Sequence, residues 1–139
     1  MIVLDTDHAS ELFFGSAAGR RLEERITKQE DEVVLNAITV EEQLRGWLAA
    51  IRRRTKPEEQ FQAYDQLVRQ TEFASAFHVL AWDQDAFEIY AKLRQARLRV
   101  GTQDLKIASI TMAHGGTLLT RNTSDFGKVR GLQFENWLD

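Results

Sequence analysis

Four acidic residues stand where short apolar runs end or a helix opens: Asp5 after Ile2-Val3-Leu4, Glu42 after the Val33–Ile38 run, Asp125 after Thr117–Thr120, and Asp104 at the start of a helical stretch. If the apolar runs lie side by side as strands, these carboxylates converge. Carboxylates packed that closely repel one another unless a divalent cation neutralises them. A cation so held activates water against a phosphodiester, and the pattern therefore points to a metal-dependent phosphodiesterase. Asp7 leaves the same strand two residues after Asp5, which aims both side chains to one side; its alternative role is to cap the helix beginning at His8.

Glu42 has two readings that are compatible. Thr39-x-x-Glu42 is a capping box, and a carboxylate in the first turn of a helix leaving a strand also faces the site. Glu41 points about 100° away around the helix, which favours Glu42. In Gly101-Thr102-Gln103-Asp104-Leu105, Thr102 is expected to cap a helix whose dipole favours an acid at Asp104. The polar turn Thr120-Arg121-Asn122-Thr123-Ser124-Asp125-Phe126 offers two further oxygen ligands, Asp125 with charge and Asn122 as a neutral acceptor. Thr6 and Thr120 are candidates for a supporting hydroxyl contact. His8, His78 and His114 fall in unrelated segments without zinc-site spacing and are expected to be structural or exposed.

These side chains need elements to carry them. Strand-like patterns cover 2–5, 33–37, 77–81, 117–120 and 132–135; helical patterns cover 7–14, 17–29, 40–54, 58–74, 84–99 and 103–115, with a helical turn near 123–128. Strands separated by helices predict an α/β sandwich, with a mainly parallel sheet of four or five strands between two helical layers. Ligands of such sheets bind beyond the carboxyl ends of the strands, where Asp5 falls. Asp83 precedes one helical face, Gly115-Gly116 ends another helix, and Pro57 is expected in the first turn of the helix that follows it.

The 139 residues suit one domain over 1–139, with 43% hydrophobic residues to fill its core. Absence of cysteine excludes disulfides, thiol catalysis and cysteine-ligated metals, and neither a serine-hydrolase elbow nor a phosphate-binding glycine loop is present. The opening MIVLDTD is strand-like, and no window approaches the ~18 apolar residues of a membrane span, so a soluble, cytoplasmic protein with no membrane partner is expected. A net charge of −3 argues against nucleic-acid binding by bulk positive charge. Locally, however, Arg45, Arg52, Arg53, Arg54 and Lys56 form a basic cluster, as do Lys92, Arg94, Arg97 and Arg99. Such patches hold a polyanion, or are simply solvated helix faces. On the 40–54 helix, Trp47, Leu48 and Ile51 are candidates for an interface between copies or for core packing.

Four segments in order carry a resemblance over nearly the whole chain: Leu4-Asp5-Thr6-Asp7, Ile38 to Gly46 (ITVEEQLRG), Gly101 to Ala108 (GTQDLKIA) and Leu119 to Phe126 (LTRNTSDF), followed by Gly131-Leu132 to Trp137-Leu138. With these the chain resembles PIN-domain ribonucleases, and among them the VapC-type toxins of toxin–antitoxin pairs. The resemblance implies a PIN-like fold, Mg²⁺ or Mn²⁺ dependence, cleavage of RNA, homodimerisation and inhibition by a small cognate antitoxin. It also implies Asp5, Glu42 and Asp104 as acidic metal ligands, with a fourth position in the Asn122–Asp125 turn, where Asn122 replaces the aspartate of some relatives. Two other readings compete with it. One is a PIN-like module that binds RNA or peptide without cutting; the other is a haloacid-dehalogenase-like phosphohydrolase with Asp5 as nucleophile.

Overall fold

Alternation along three short strands builds two cores, one on each side of a sheet. Val3, Val34 and Leu118 face one side, whereas Ile2, Leu4, Leu35 and Leu119 face the other, as the two-residue period of a strand requires. A computed structural model describes all 139 residues. The strands are β1 (Ile2–Leu4), β2 (Val33–Asn36), β3 (Val79–Leu80), β4 (Thr117–Leu119) and β5 (Gln133–Glu135). They pair in the order β3-β2-β1-β4-β5, and every pair is parallel. The α/β sandwich expected from the strand–helix alternation is therefore what forms.

The helices are α1 (Thr6–Phe14), α2 (Ala17–Thr27), α3 (Ala37–Arg53), α4 (Phe61–Ser75), α5 (Gln84–Gln95), α6 (Thr102–Ala113) and α7 (Thr123–Phe126). Residues of α5 and α6, including Ala86, Leu105, Ile107 and Ile110, fill the core on one face. Ala9 of α1 and Leu22 of α2 fill the other, with Phe73 of α4 packed against them. α6 is apolar on most of its circumference, and its buried Ser109 and Thr111 hydroxyls donate to the Leu105 and Ile107 carbonyls instead of standing unpaired. No helix is long and apolar enough to cross a membrane.

Several boundaries differ from the sequence expectation, at α1 and α3 because another side chain takes the cap. α1 starts at Thr6 with Asp5, not Asp7, as its N-cap; α3 starts at Ala37 with Asn36, not Thr39. Gly101, not Thr102, precedes α6, and no side chain caps it. Pro57 opens a separate 3₁₀ turn over Pro57–Glu59, ahead of α4. α5 stops at Gln95, and Arg97 lies in the left-handed region at φ 53°. Asp83 caps α5 as expected, accepting from the Ala86 amide at 3.0 Å.

The α1–α2 corner depends on two glycines. Gly15 ends α1 in the left-handed conformation at φ 64°, with its N–H on the Glu11 and Leu12 carbonyls. Gly19 packs so closely that a Cβ there would stand 1.9 Å from the Glu11 carbonyl oxygen. That oxygen is backbone and cannot swing away, so Gly19→Ala is expected to cost about 2–3 kcal/mol of unfolding free energy, in the upper range for overpacking. Urea unfolding of the variant beside the unaltered protein checks this, and an unchanged midpoint contradicts the close approach.

Candidate functional site

The sequence order of the strands reverses about β1, so the connections leaving β1 and its neighbours diverge and open a crevice at their carboxyl ends. A cleft of about 210 Å³ lies there, bounded by Asp5, Thr6, Asp7, Glu42, Asp104 and Asn122, with Ile107 and Phe126 supplying its apolar part. Three of the four sequence-predicted acids therefore line one cleft: Asp5 caps α1, Asp104 is in the first turn of α6, and Glu42, expected in a first turn, stands in the second turn of α3 because Asn36 starts that helix at Ala37.

Asp5 is buried, and its Oδ1 accepts from the His8 amide at 2.9 Å and from His8 Nδ1 at 3.1 Å. Glu42 is fixed by a relay of hydroxyls. Asn36 Nδ2 donates to Thr39 Oγ1 at 3.1 Å, and Thr6 Oγ1 donates to Glu42 Oε1 at 2.7 Å. The Thr6 proton is thus committed to Glu42, so in the 3.2 Å contact between the two threonines Thr39 is the donor. Asn36 also donates to the Leu4 carbonyl at 3.0 Å, joining the end of β1 to the start of α3. Glu41 points outward as expected, bonded to Arg45 and to Gln103.

The turn after β4 divides its two candidates. Asn122 lines the cleft and donates to Asp104 Oδ2 at 3.4 Å and to Asp125 Oδ2 at 3.1 Å. Asp125 stands outside the lining and also accepts from Lys128 at 3.2 Å. Thr120 is buried and serves the turn, its hydroxyl accepting from the Asn122 amide at 2.9 Å.

Charge is unbalanced inside this arrangement. Burial, then the carboxylates of Glu42, Asp5 and Asp125, push the Asp104 carboxyl above its ordinary value. Asp7, at the mouth, is raised by the protein atoms around it and next by Asp5. Asp125 goes the other way, held down by hydrogen bonds from Asn122 and then Lys128. No three His, Cys, Asp or Glu side chains are placed to hold an ion by themselves. The donors instead suit a hard divalent cation that keeps several waters and takes one or two carboxylates, for which Asp5, Glu42 and Asp104 are the available groups.

The cleft opens into a groove of about 390 Å³ that shares Thr6 and Glu42 with it and runs past Phe13, Phe14 and Trp47 to Arg53. A neighbouring depression adds Arg54. Beneath it, Trp47 Nε1 donates to Gln70 Oε1 at 3.0 Å and Gln70 Nε2 donates to Gln43 Oε1 at 2.9 Å. Arg52 and Lys56 are exposed at the same end of α3, whereas Arg45 pairs with Glu41. Of the apolar residues on α3, Ile51 is buried and Trp47 packs on Phe13 and Phe14, leaving Leu48 exposed.

Sequence reasoning missed Asn36, whereas His8, expected to be structural or exposed, is buried with both ring nitrogens bonded. A polar residue directly after Val33-Val34-Leu35 is the signal that would have marked Asn36 as a cap. For His8 the local half, its contact with Asp5 three residues earlier, is within reach of the sequence, but the partner of its Nε2 is the distant amide of Trp137.

Residues 2–132 match the family model described as PIN domain. A VapC ribonuclease, Y4jK, from Sinorhizobium fredii is 38% identical over 98% of this chain and 96% of its own length. Ribonuclease VapC1 of Rickettsia felis is 35% identical over 42% of this chain, a match that spans 47% of that relative's length. The crystal structure of VapBC2 from Rickettsia felis bound to a promoter DNA fragment superposes with a TM-score of 0.73, at 24% identity and 99% coverage of both chains, which is a likeness of fold.

Crowded carboxylates have a measurable signature. Because the folded state raises the Asp104 pKa, the folded chain binds more protons than the unfolded one between the two values. Stability is therefore gained as pH falls through the folded pKa and is lowest above it. In EDTA at neutral pH, Asp104→Asn is expected to melt above the unaltered protein, with the difference closing as the pH falls to about 4. Thermal melts across that range check it, and a variant that melts lower at neutral pH contradicts like-charge strain at Asp104.

Proposed function

The chain belongs to the PIN domain family, and from that premise we propose that it is a divalent-cation-dependent endoribonuclease and the toxin of a toxin–antitoxin pair, working as one domain over 1–139. The observation that carries this reading is the cleft lined together by Asp5, Glu42 and Asp104, with the Asp104 carboxyl raised first by burial and then by its acidic neighbours. Bound Mg²⁺ or Mn²⁺ supplies Lewis acidity toward a phosphodiester and acidifies water. Asp5, Glu42 and Asp104 are the groups from which the ion would take one or two carboxylates, with waters completing its shell. Thr6 keeps Glu42 turned into the cleft, and Asn122 spans Asp104 and Asp125, so that Asp125 acts from outside the lining. A bridge that carries no charge limits the repulsion these acids must overcome.

RNA is the proposed substrate. Its scissile phosphate enters the acidic cleft, and the neighbouring strand follows the groove toward Arg53 and Arg54, with Arg52 and Lys56 adding positive charge at that end. Family membership sets aside the haloacid-dehalogenase-like alternative with Asp5 as nucleophile. A small antitoxin is the proposed protein partner, in keeping with the VapBC complexes among the structural relatives. Phe61, Tyr64 and Val68 of α4 and Leu48 of α3 leave exposed apolar surface, which a partner or a second copy in a homodimer would cover. The proposed location is the cytoplasm.

Incubation of total cellular RNA with the purified protein and Mg²⁺ or Mn²⁺ is expected to yield discrete fragments that EDTA and Asp5→Asn each abolish. Absence of cleavage by folded, antitoxin-free protein would favour a module that binds without cutting. Arg53→Ala, with the acidic cleft intact, is expected to weaken RNA binding and to reduce the slope of log affinity against log salt by about one. An unchanged slope removes Arg53 from the substrate path.

A further inference from the structure

We propose that His8 is a positioning residue that orients the Asp5 carboxylate by coupling it to the segment Asn136–Leu138; the proposal rests on Asp5 being a ligand of the divalent cation. His8 is fully buried, and both of its ring nitrogens are used. The Trp137 backbone N–H, which can only donate, lies 3.1 Å from Nε2, so Nε2 carries a lone pair and the ring proton sits on Nδ1. That proton is directed at Asp5 Oδ1, 3.1 Å away.

The Asp5 side chain is thereby divided between two tasks. Oδ1 takes both the His8 ring and the His8 amide. Oδ2 has no protein partner, and since no buried side-chain polar atom is left unpaired, it is open to the cleft. A carboxylate pinned through one oxygen presents the other in a fixed direction, which is how an outer partner tunes a ligand.

The far anchor is itself held firmly. The Arg25 guanidinium lies 3.9 Å from the centroid of the Trp137 ring, Trp137 Nε1 donates to Glu135 at 2.6 Å, and Leu138 is 2% exposed in the core beside α1 and α2. A clamp from the edge of the sheet thus reaches the central ligand through one imidazole.

Two substitutions separate its two contacts. His8→Asn places an amide N–H near the position of Nδ1 and keeps the donor to Asp5, while His8→Gln reaches the position of Nε2 and keeps only the acceptor for Trp137. Mn²⁺ binding to the folded proteins, followed by electron paramagnetic resonance without RNA, is expected to weaken about tenfold in His8→Gln and less than about threefold in His8→Asn. Cleavage by His8→Gln is expected to recover near-normal kcat at saturating Mn²⁺. Imidazole ¹⁵N spectra of the unaltered protein, which need no metal, are expected to show Nε2 as the unprotonated nitrogen. Equal Mn²⁺ affinity in both variants and the unaltered protein overturns the proposal, as does weakening in both that follows only their melting temperatures, or an Nε2-protonated ring. Failure of the unaltered protein to bind Mn²⁺ overturns the metal reading itself, which is a separate result.

Discussion

Mutual repulsion among carboxylates at the mouth of a parallel sheet is the constraint on which the rest of this structure depends. Asp5, Glu42 and Asp104 are brought to one cleft by the N-terminal ends of three different helices, and the Asp104 carboxyl is raised first by burial and then by the acids around it. The scaffold must then hold the acids in place by means that add no charge.

Neutral groups do that holding here. Thr6, Thr39 and Asn36 form a directed chain of donors ending on Glu42, the neutral His8 ring supports Asp5, and Asn122 spans Asp104 and Asp125. Of the two cations beside this turn, Lys128 reaches Asp125, and Arg121 pairs with Glu11 and Asp139, its charge opposing the rise at Asp7 but not bridging Asp5, Glu42 or Asp104. Asn36, Thr39 and His8 are buried and Asn122 is tied to the Asp125 amide, so much of the local rigidity comes from the same hydrogen bonds that end the strands and start the helices. Fold and site share these bonds, and Asn36 is the clearest example, being at once the cap of α3 and the link to the end of β1.

This sharing explains what could be read in the chain. Strand–helix alternation, the parallel sheet and the convergence of Asp5, Glu42 and Asp104 follow from apolar runs and from where acids fall relative to them, which are local patterns. The choice of Glu42 over Glu41 rested on the helical period together with the spacing from Thr39 and Gly46 that the family resemblance implies. Competition between neighbouring caps was less legible: Asn36 and Thr39, or Asp5 and Asp7, are each chemically able to cap, and tertiary contacts such as Asn36 to the Leu4 carbonyl decide. The role of Asn122 against Asp125 depended on Lys128, three residues beyond Asp125, being in reach. The Nε2 contact of His8 was opaque because its partner lies 129 residues away.

Helix α1 connects both ends of the proposed path. Its first turn carries Thr6 and follows Asp5, its last turn presents Phe13 and Phe14 to the groove, and its nine residues span about 13 Å at the helical rise. It therefore acts as a ruler. A strand that touches the acids and the aromatic end together lies extended along that length, so the helix sets how far apart its two points of contact fall.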